Sequence, residues 1–138
     1  MEHFGEFIIN HWLLASAFVV LAYLVLSNSL HQKLSGVTAV GTAQAIQIVN
    51  QKKGVFLDVR DSAEFNKEHI AESVNIPVAK LDEDSSLKNQ AQPIILVCAS
   101  GQRARTAAKQ VVKKGFSEVY VLSGGLNTWK EAKLPLFS

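Results

Sequence analysis

Twenty consecutive residues, Phe7 to Leu26 (FIINHWLLASAFVVLAYLVL), contain no Lys, Arg, Asp or Glu. As an α-helix rising about 1.5 Å per residue, the segment would span about 30 Å, one bilayer hydrocarbon core. A soluble helix of this length needs a polar face, and between Trp12 and Leu26 only Ser16 and Tyr23 offer polar groups. A secretory signal peptide would open on Lys or Arg and close on small residues at a cleavage site. This segment instead follows MEHFGE and runs into LVLSNSLHQ. The sequence therefore predicts a retained transmembrane helix over residues 7–26 behind a short tail, residues 1–6. Trp12 suits the headgroup layer. Asn10 and His11 fall at one boundary, where snorkelling or a partner contact would accommodate them.

Charge sets the orientation. All 14 Lys and Arg follow the helix, beginning at Lys33, whereas the residues before it carry Glu2 and Glu6 and no basic side chain. The positive-inside rule then predicts a single-pass protein of the cell inner membrane, N-terminus outside and the remainder in the cytoplasm. That compartment keeps Cys98, the single cysteine, reduced and usable. One cysteine excludes an intramolecular disulfide and any CxxC site. His3, His11, His31 and His69 lack the i, i+4 spacing of a helical metal site, so neither a metal nor another cofactor is expected. A net charge of +2, with both signs mixed, argues against a nucleic-acid partner.

Residues 27–36 (SNSLHQKLSG) have no apolar period and read as a polar linker, leaving residues 37–138 for one domain of ordinary size. Thr42 is placed as the N-cap of a helix through AQAIQIVNQKK, with Gly54 as its terminator. VFLDV (Val55 to Val59), PIILVC (Pro93 to Cys98) and EVYVL (Glu118 to Leu122) are short continuous apolar runs, the pattern of strands buried on both faces. Between the last two, Arg103 to Lys114 is helical in composition and stops at Gly115. Strand, helix and strand within about thirty residues form a βαβ unit, hence a parallel sheet.

Cys98 thus stands at the C-terminal end of a buried strand, where open α/β sheets place their ligands. Ala99, Ser100, Gly101 and Gln102 follow as a loop of small or flexible types, and a helix begins near Arg103. Backbone N–H groups in such a loop, backed by the helix dipole, favour an anion at the sulfur. A thiolate is the nucleophilic form. From these residues alone, an inert thiol ending a strand is the competing reading.

Three motifs in register now become recognisable: DVRDSAEFNKEHIAESVNIP at Asp58 to Pro77, CASGQRA at Cys98 to Ala104, and GGLNTW at Gly124 to Trp129. Over roughly Val37 to Pro135 the chain resembles the rhodanese (sulfurtransferase) family, in its single-domain, membrane-anchored bacterial form. The resemblance implies a five-stranded parallel sheet flanked by helices. It also implies catalysis by Cys98, which would take a sulfane sulfur from thiosulfate or a persulfide donor and pass it to a thiol or cyanide-like acceptor. Ala99, Ser100, Gly101, Gln102 and Arg103 would bind the substrate through loop N–H groups and one side chain, with Asp58, Arg60 and His69 in support.

The chain departs from the family's pattern in two places. Ala99 stands where many members carry Arg, which removes a positive charge useful for thiosulfate, and Glu68 replaces a Gly at the surface. Arg103 would contact an anionic donor or pair with an acid such as Asp58. Asp58 would fix a neighbouring loop or pair with Arg60, and His69 would pack locally rather than move protons. Gly124 and Gly125 would allow a tight turn into a last helix, with Trp129 in the core.

Two rival functions differ by class. Phosphatases of the same fold use five residues between Cys and Arg, and here Cys98 and Arg103 enclose four. The other rival is an interaction module that the membrane helix, contacting lipid through residues 7–26, presents to an integral membrane protein.

Overall fold

The computed structural model describes residues 2–138, in two compact units that divide between Leu34 and Ser35. The first is helical. Helix α1 (Glu2–Asn10) and helix α2 (Trp12–Ser35) meet at His11. The backbone ladder crosses that junction, because His11 N–H donates to Phe7 C=O (3.1 Å) and Ala15 N–H to His11 C=O (2.9 Å). Trp12–His31 is long and apolar enough to cross a membrane, and none of it is buried in the chain. This candidate span overlaps residues 7–26 from Trp12 to Leu26, while Phe7 to Asn10 belong to α1. Residues 27–35 are also helical, where the polar composition reads as a linker. Ser27 Oγ donates to Leu24 C=O (3.0 Å), so its hydroxyl bonds within the helix instead of opening a turn. A ladder already propagating tolerates such residues, and the helix stops only before Gly36, whose φ is 71°.

The second unit is a five-stranded parallel sheet in the order β1-β5-β4-β2-β3. Its strands are β1 (Val37–Val40), β2 (Val55–Asp58), β3 (Val74–Asn75), β4 (Ile94–Val97) and β5 (Val119–Leu122). Helices α3 (Thr42–Lys52), α4 (Ser62–Lys67), α5 (Gln102–Lys113) and α6 (Gly125–Glu131) connect or follow them, with a 3-10 turn at Val78–Lys80. Gly41, not Thr42, is the N-cap of α3, and Lys53 (φ 54°) rather than Gly54 takes its left-handed C-cap.

Alternation along the central strands feeds two apolar layers. Leu57, Ile94, Leu96, Val119 and Val121 pack with Ala104, Ala107, Ala108 and Val111 of α5, whose small side chains let the helix lie close to the sheet. On the other face, Phe56, Ile95, Val97 and Leu122 pack with Ala45 and Ile48 of α3 and with Leu126 and Trp129 of α6. Every residue of β4 is buried, as a continuous apolar run requires. Trp129 meets Phe56 edge-on (centroids 5.6 Å apart, planes at 77°) and donates Nε1–H to Pro135 C=O (3.0 Å). Crossover helices on both faces thus leave the C-terminal ends of β2 and β4 side by side, with Asp58 opposite Val97 in the ladder.

Candidate active site

Cys98 follows β4 directly and is fully buried. The backbone turns sharply after it: Gly101 adopts φ 99°, a left-handed conformation that side-chain-bearing residues avoid, and starts α5 at Gln102. The turn sends two amides back to the sulfur. Gly101 N–H lies 2.9 Å and Ala104 N–H 3.4 Å from Cys98 Sγ, the backbone donors that reach it among the described residues. Ala104 belongs to the first turn of α5, so the positive end of that helix faces the sulfur. Of the predicted loop residues, Gly101 is buried and Ala99 half-buried, while Ser100, Gln102 and Arg103 are exposed. Ala104 is a contact that the sequence reading omits, because its role comes from its backbone and no side-chain type marks it.

The loop is held from below by the third motif. Leu126 N–H donates to Cys98 C=O (2.9 Å) and Asn127 N–H to Ala99 C=O (3.1 Å). Gly125 makes this approach possible: a Cβ there would lie 2.2 Å from Cys98 O and 2.8 Å from Ala99 O. The first turn of α6 therefore uses its free N–H groups to fix the two successive carbonyls of Cys98 and Ala99. GGLNTW acts on the site as well as on the core, a role not visible in its composition.

Asp58 and Arg60 form a buried fork. Arg60 Nε lies 3.0 Å from Asp58 Oδ1 and Nη2 lies 2.8 Å from Oδ2, while Arg60 N–H also donates to Oδ1 (3.0 Å). Arg60 Nη2 further donates to Glu68 C=O (2.6 Å), and Asn75 Nδ2 donates to both Asp58 C=O (3.1 Å) and Arg60 C=O (2.9 Å). With its charges paired and its hydrogen bonds filled, this cluster locks the end of β2 beside the end of β4. His69 stacks on Phe65 (4.0 Å, 9°), donates Nδ1–H to Phe65 C=O (2.8 Å), and exchanges backbone hydrogen bonds with Phe137 (2.7 and 2.8 Å). Its ring is occupied locally.

Arg103 does not pair with Asp58, which Arg60 already occupies. Its partner is Glu64 of α4, with Nη1 3.0 Å from Oε2 and Nη2 3.3 Å from Oε1. The Arg103 hydrogen bond holds the Glu64 carboxyl below its ordinary range, and the same bond raises Arg103 further. Glu64 escaped the sequence reading because it acts on the loop from a different element. Glu68, read as a surface replacement, forms an ion pair with Lys130.

This combination, a parallel sheet with a buried cysteine at the end of a central strand and two amides directed at its sulfur, defines a class of α/β proteins with a cysteine loop at the carboxyl edge of the sheet. The sequence matches the rhodanese-like domain family over residues 42–132. It is 37% identical over 87 residues to thiosulfate sulfurtransferase GlpE of Coxiella burnetii, covering 63% of this chain and 81% of that protein. It is 29% identical to YibN of Escherichia coli over 139 residues, covering 99% of this chain and 97% of that protein. The fold resembles the crystal structure of a rhodanese-related protein from Thermoplasma volcanium (TM-score 0.64, 27% identity, 72% of this chain and 97% of that one). The chain belongs to the rhodanese-like domain family.

Proposed function

We propose that the protein is a sulfurtransferase in which Cys98 carries a sulfane sulfur as a persulfide, tethered to the inner face of the membrane through the apolar part of α2. The observation that carries the catalytic reading is the pair of amides, Gly101 and Ala104, directed at a buried cysteine sulfur. The two N–H groups offer hydrogen bonds to the sulfur, and transfer relocates the site's single negative charge to the outer sulfur rather than adding one. In the first half-reaction the Cys98 thiolate attacks the outer sulfur of thiosulfate. The S–S bond breaks and sulfite leaves with the electron pair. An acceptor such as cyanide or a thiolate then attacks the outer sulfur of the Cys98 persulfide, and the Cys98 thiolate is regenerated.

The four residues between Cys98 and Arg103 form a short loop that closes around one sulfur atom, whereas a phosphoryl group needs a wider ring of donors. Intact mass after donor treatment tests the proposal. A gain of about 32 Da, reversed by reductant and absent in Cys98→Ser, is the expected result. No gain with thiosulfate or with a small persulfide would overturn it.

The exposed apolar surface of α2 supports the tether and also favours a second reading, in which the helix presents the domain to an integral membrane protein. Small residues Ala15, Ser16, Ala17 and Ala22 form no GxxxG pattern, so tight self-pairing of the helix is not indicated. Protease added outside right-side-out vesicles should spare the domain, and digestion would sink this topology. Crosslinks from Leu13 to Leu26 that reach lipid alone would leave α2 a plain anchor. Full cellular function of Cys98→Ser would favour the partner-binding role.

A further inference from the structure

Catalysis as described leaves the pair between Glu64 and Arg103 unused. Arg103 is the second residue of α5, directly before Ala104, whose amide reaches the sulfur. It is the basic side chain of the active-site loop, and both its terminal nitrogens are engaged by Glu64 (3.0 and 3.3 Å). Glu64 is itself held in place, since its Oε2 accepts Asp61 N–H (3.1 Å) and the two residues form the capping box of α4. The carboxylate is therefore preorganised on a second element. Ala99, the residue after the thiol, supplies no charge in compensation.

We propose that Glu64 determines donor specificity at the Cys98 site by competing with anionic donors for Arg103, which biases the thiol towards sulfane sulfur carried by a neutral organic persulfide and away from thiosulfate. This rests on the sulfurtransferase reading of Cys98.

The chemistry of the two donors makes the pair matter. Thiosulfate brings two negative charges to a thiolate and releases both as sulfite, so it needs a free cation near the sulfur. An organic persulfide, R–S–SH, brings none in its neutral form. Attack by the Cys98 thiolate on its outer sulfur breaks the S–S bond and expels R–S⁻. The outer sulfur keeps its proton as the Cys98 persulfide, and charge is conserved at one. Arg103 stands in the first turn of α5 next to Ala104, whose amide reaches Cys98 Sγ, while its guanidinium is held by Glu64 on α4. The two side chains are 42% and 40% exposed, so the pair opens readily and tunes donor choice without blocking it.

The test compares the full chain in detergent, wild type and Glu64→Gln, with thiosulfate and with N-acetylcysteamine persulfide as donors. Gln keeps an oxygen to accept the Asp61 amide. The ratio of kcat/KM for thiosulfate to that for the persulfide should rise about two- to sixfold in Glu64→Gln, the factor by which an exposed pair withholds its guanidinium. Thiosulfate KM should carry the change. If Glu64→Gln melts well below wild type, Glu64→Asp, which keeps the charge but withdraws it by one methylene, should show a smaller rise. An unchanged or reduced ratio in a folded variant overturns the inference. A wild-type chain that forms no Cys98 persulfide with either donor overturns the sulfurtransferase reading and this inference with it. Normal persulfide formation with unaltered selectivity overturns this inference alone.

Discussion

A Cβ placed on Gly125 would stand 2.2 Å from the carbonyl oxygen of Cys98, so the residue opening α6 and the candidate nucleophile are in backbone contact. Gly125 also has φ 58°, which adds the left-handed penalty for any side chain. Gly125→Ala should therefore push the loop away from α6 and cost about 2–4 kcal/mol, combining backbone strain with overlap. Thermal melting reads the stability and intact mass the persulfide. A variant with wild-type melting and wild-type persulfide yield would show that α6 does not hold the loop.

Asp58 and Arg60 predict a larger effect of a different kind. Asp58→Asn leaves the buried Arg60 guanidinium without its counter-charge beside the strand that carries Cys98. Removing one partner of a buried pair costs about 3–5 kcal/mol. A melting temperature within a degree or two of wild type would mean that Arg60 finds another anion or reaches water.

Stability should depend on acid through Glu64. Its folded carboxyl titrates below the ordinary 4.5, mainly because Arg103 donates to it. A depressed carboxyl contributes stability that is fully present above the unfolded value and is lost as pH falls through the folded one. The difference in melting temperature between wild type and Glu64→Gln should be constant from about pH 6 to 8 and shrink below about 4.5. A difference that grows in acid would contradict the pairing.

Ala99→Arg should raise kcat/KM for thiosulfate severalfold, chiefly through KM, because it places a cation beside the thiol that Glu64 does not already hold. Kinetics identical to wild type would mean that position 99 faces away from the donor.

The central elements were legible because burial on both faces leaves continuous apolar runs: β2, β4 and β5 appear in the sequence within a residue of their observed ends. The edges were not. β1 has two exposed residues, Thr38 and Ala39, and β3 is two residues long, so neither leaves a period to detect. Helix α4, at six residues, is also too short for periodicity, although Asp61 and Glu64 stand at capping-box spacing. For the site, Cys98 and its loop were found from strand-end position and the small residues after it. The amide of Ala104, the clamp from Leu126 and Asn127, and the Glu64 partner of Arg103 were not, because each joins elements whose approach only the folded chain defines.

Pairing of β1 with β5 constrains how the protein can be made. The strand nearest α2 in the chain has as its neighbour the strand formed last, and the amides that clamp Cys98 lie later still. During synthesis, β1 must remain unpaired until nearly the whole domain has left the ribosome, while an exposed apolar helix already precedes it. The clamp on the Cys98 and Ala99 carbonyls forms only at that final step, so a chain arrested partway through translation would carry a helix long and apolar enough to cross a bilayer and a Cys98 loop not yet held by α6.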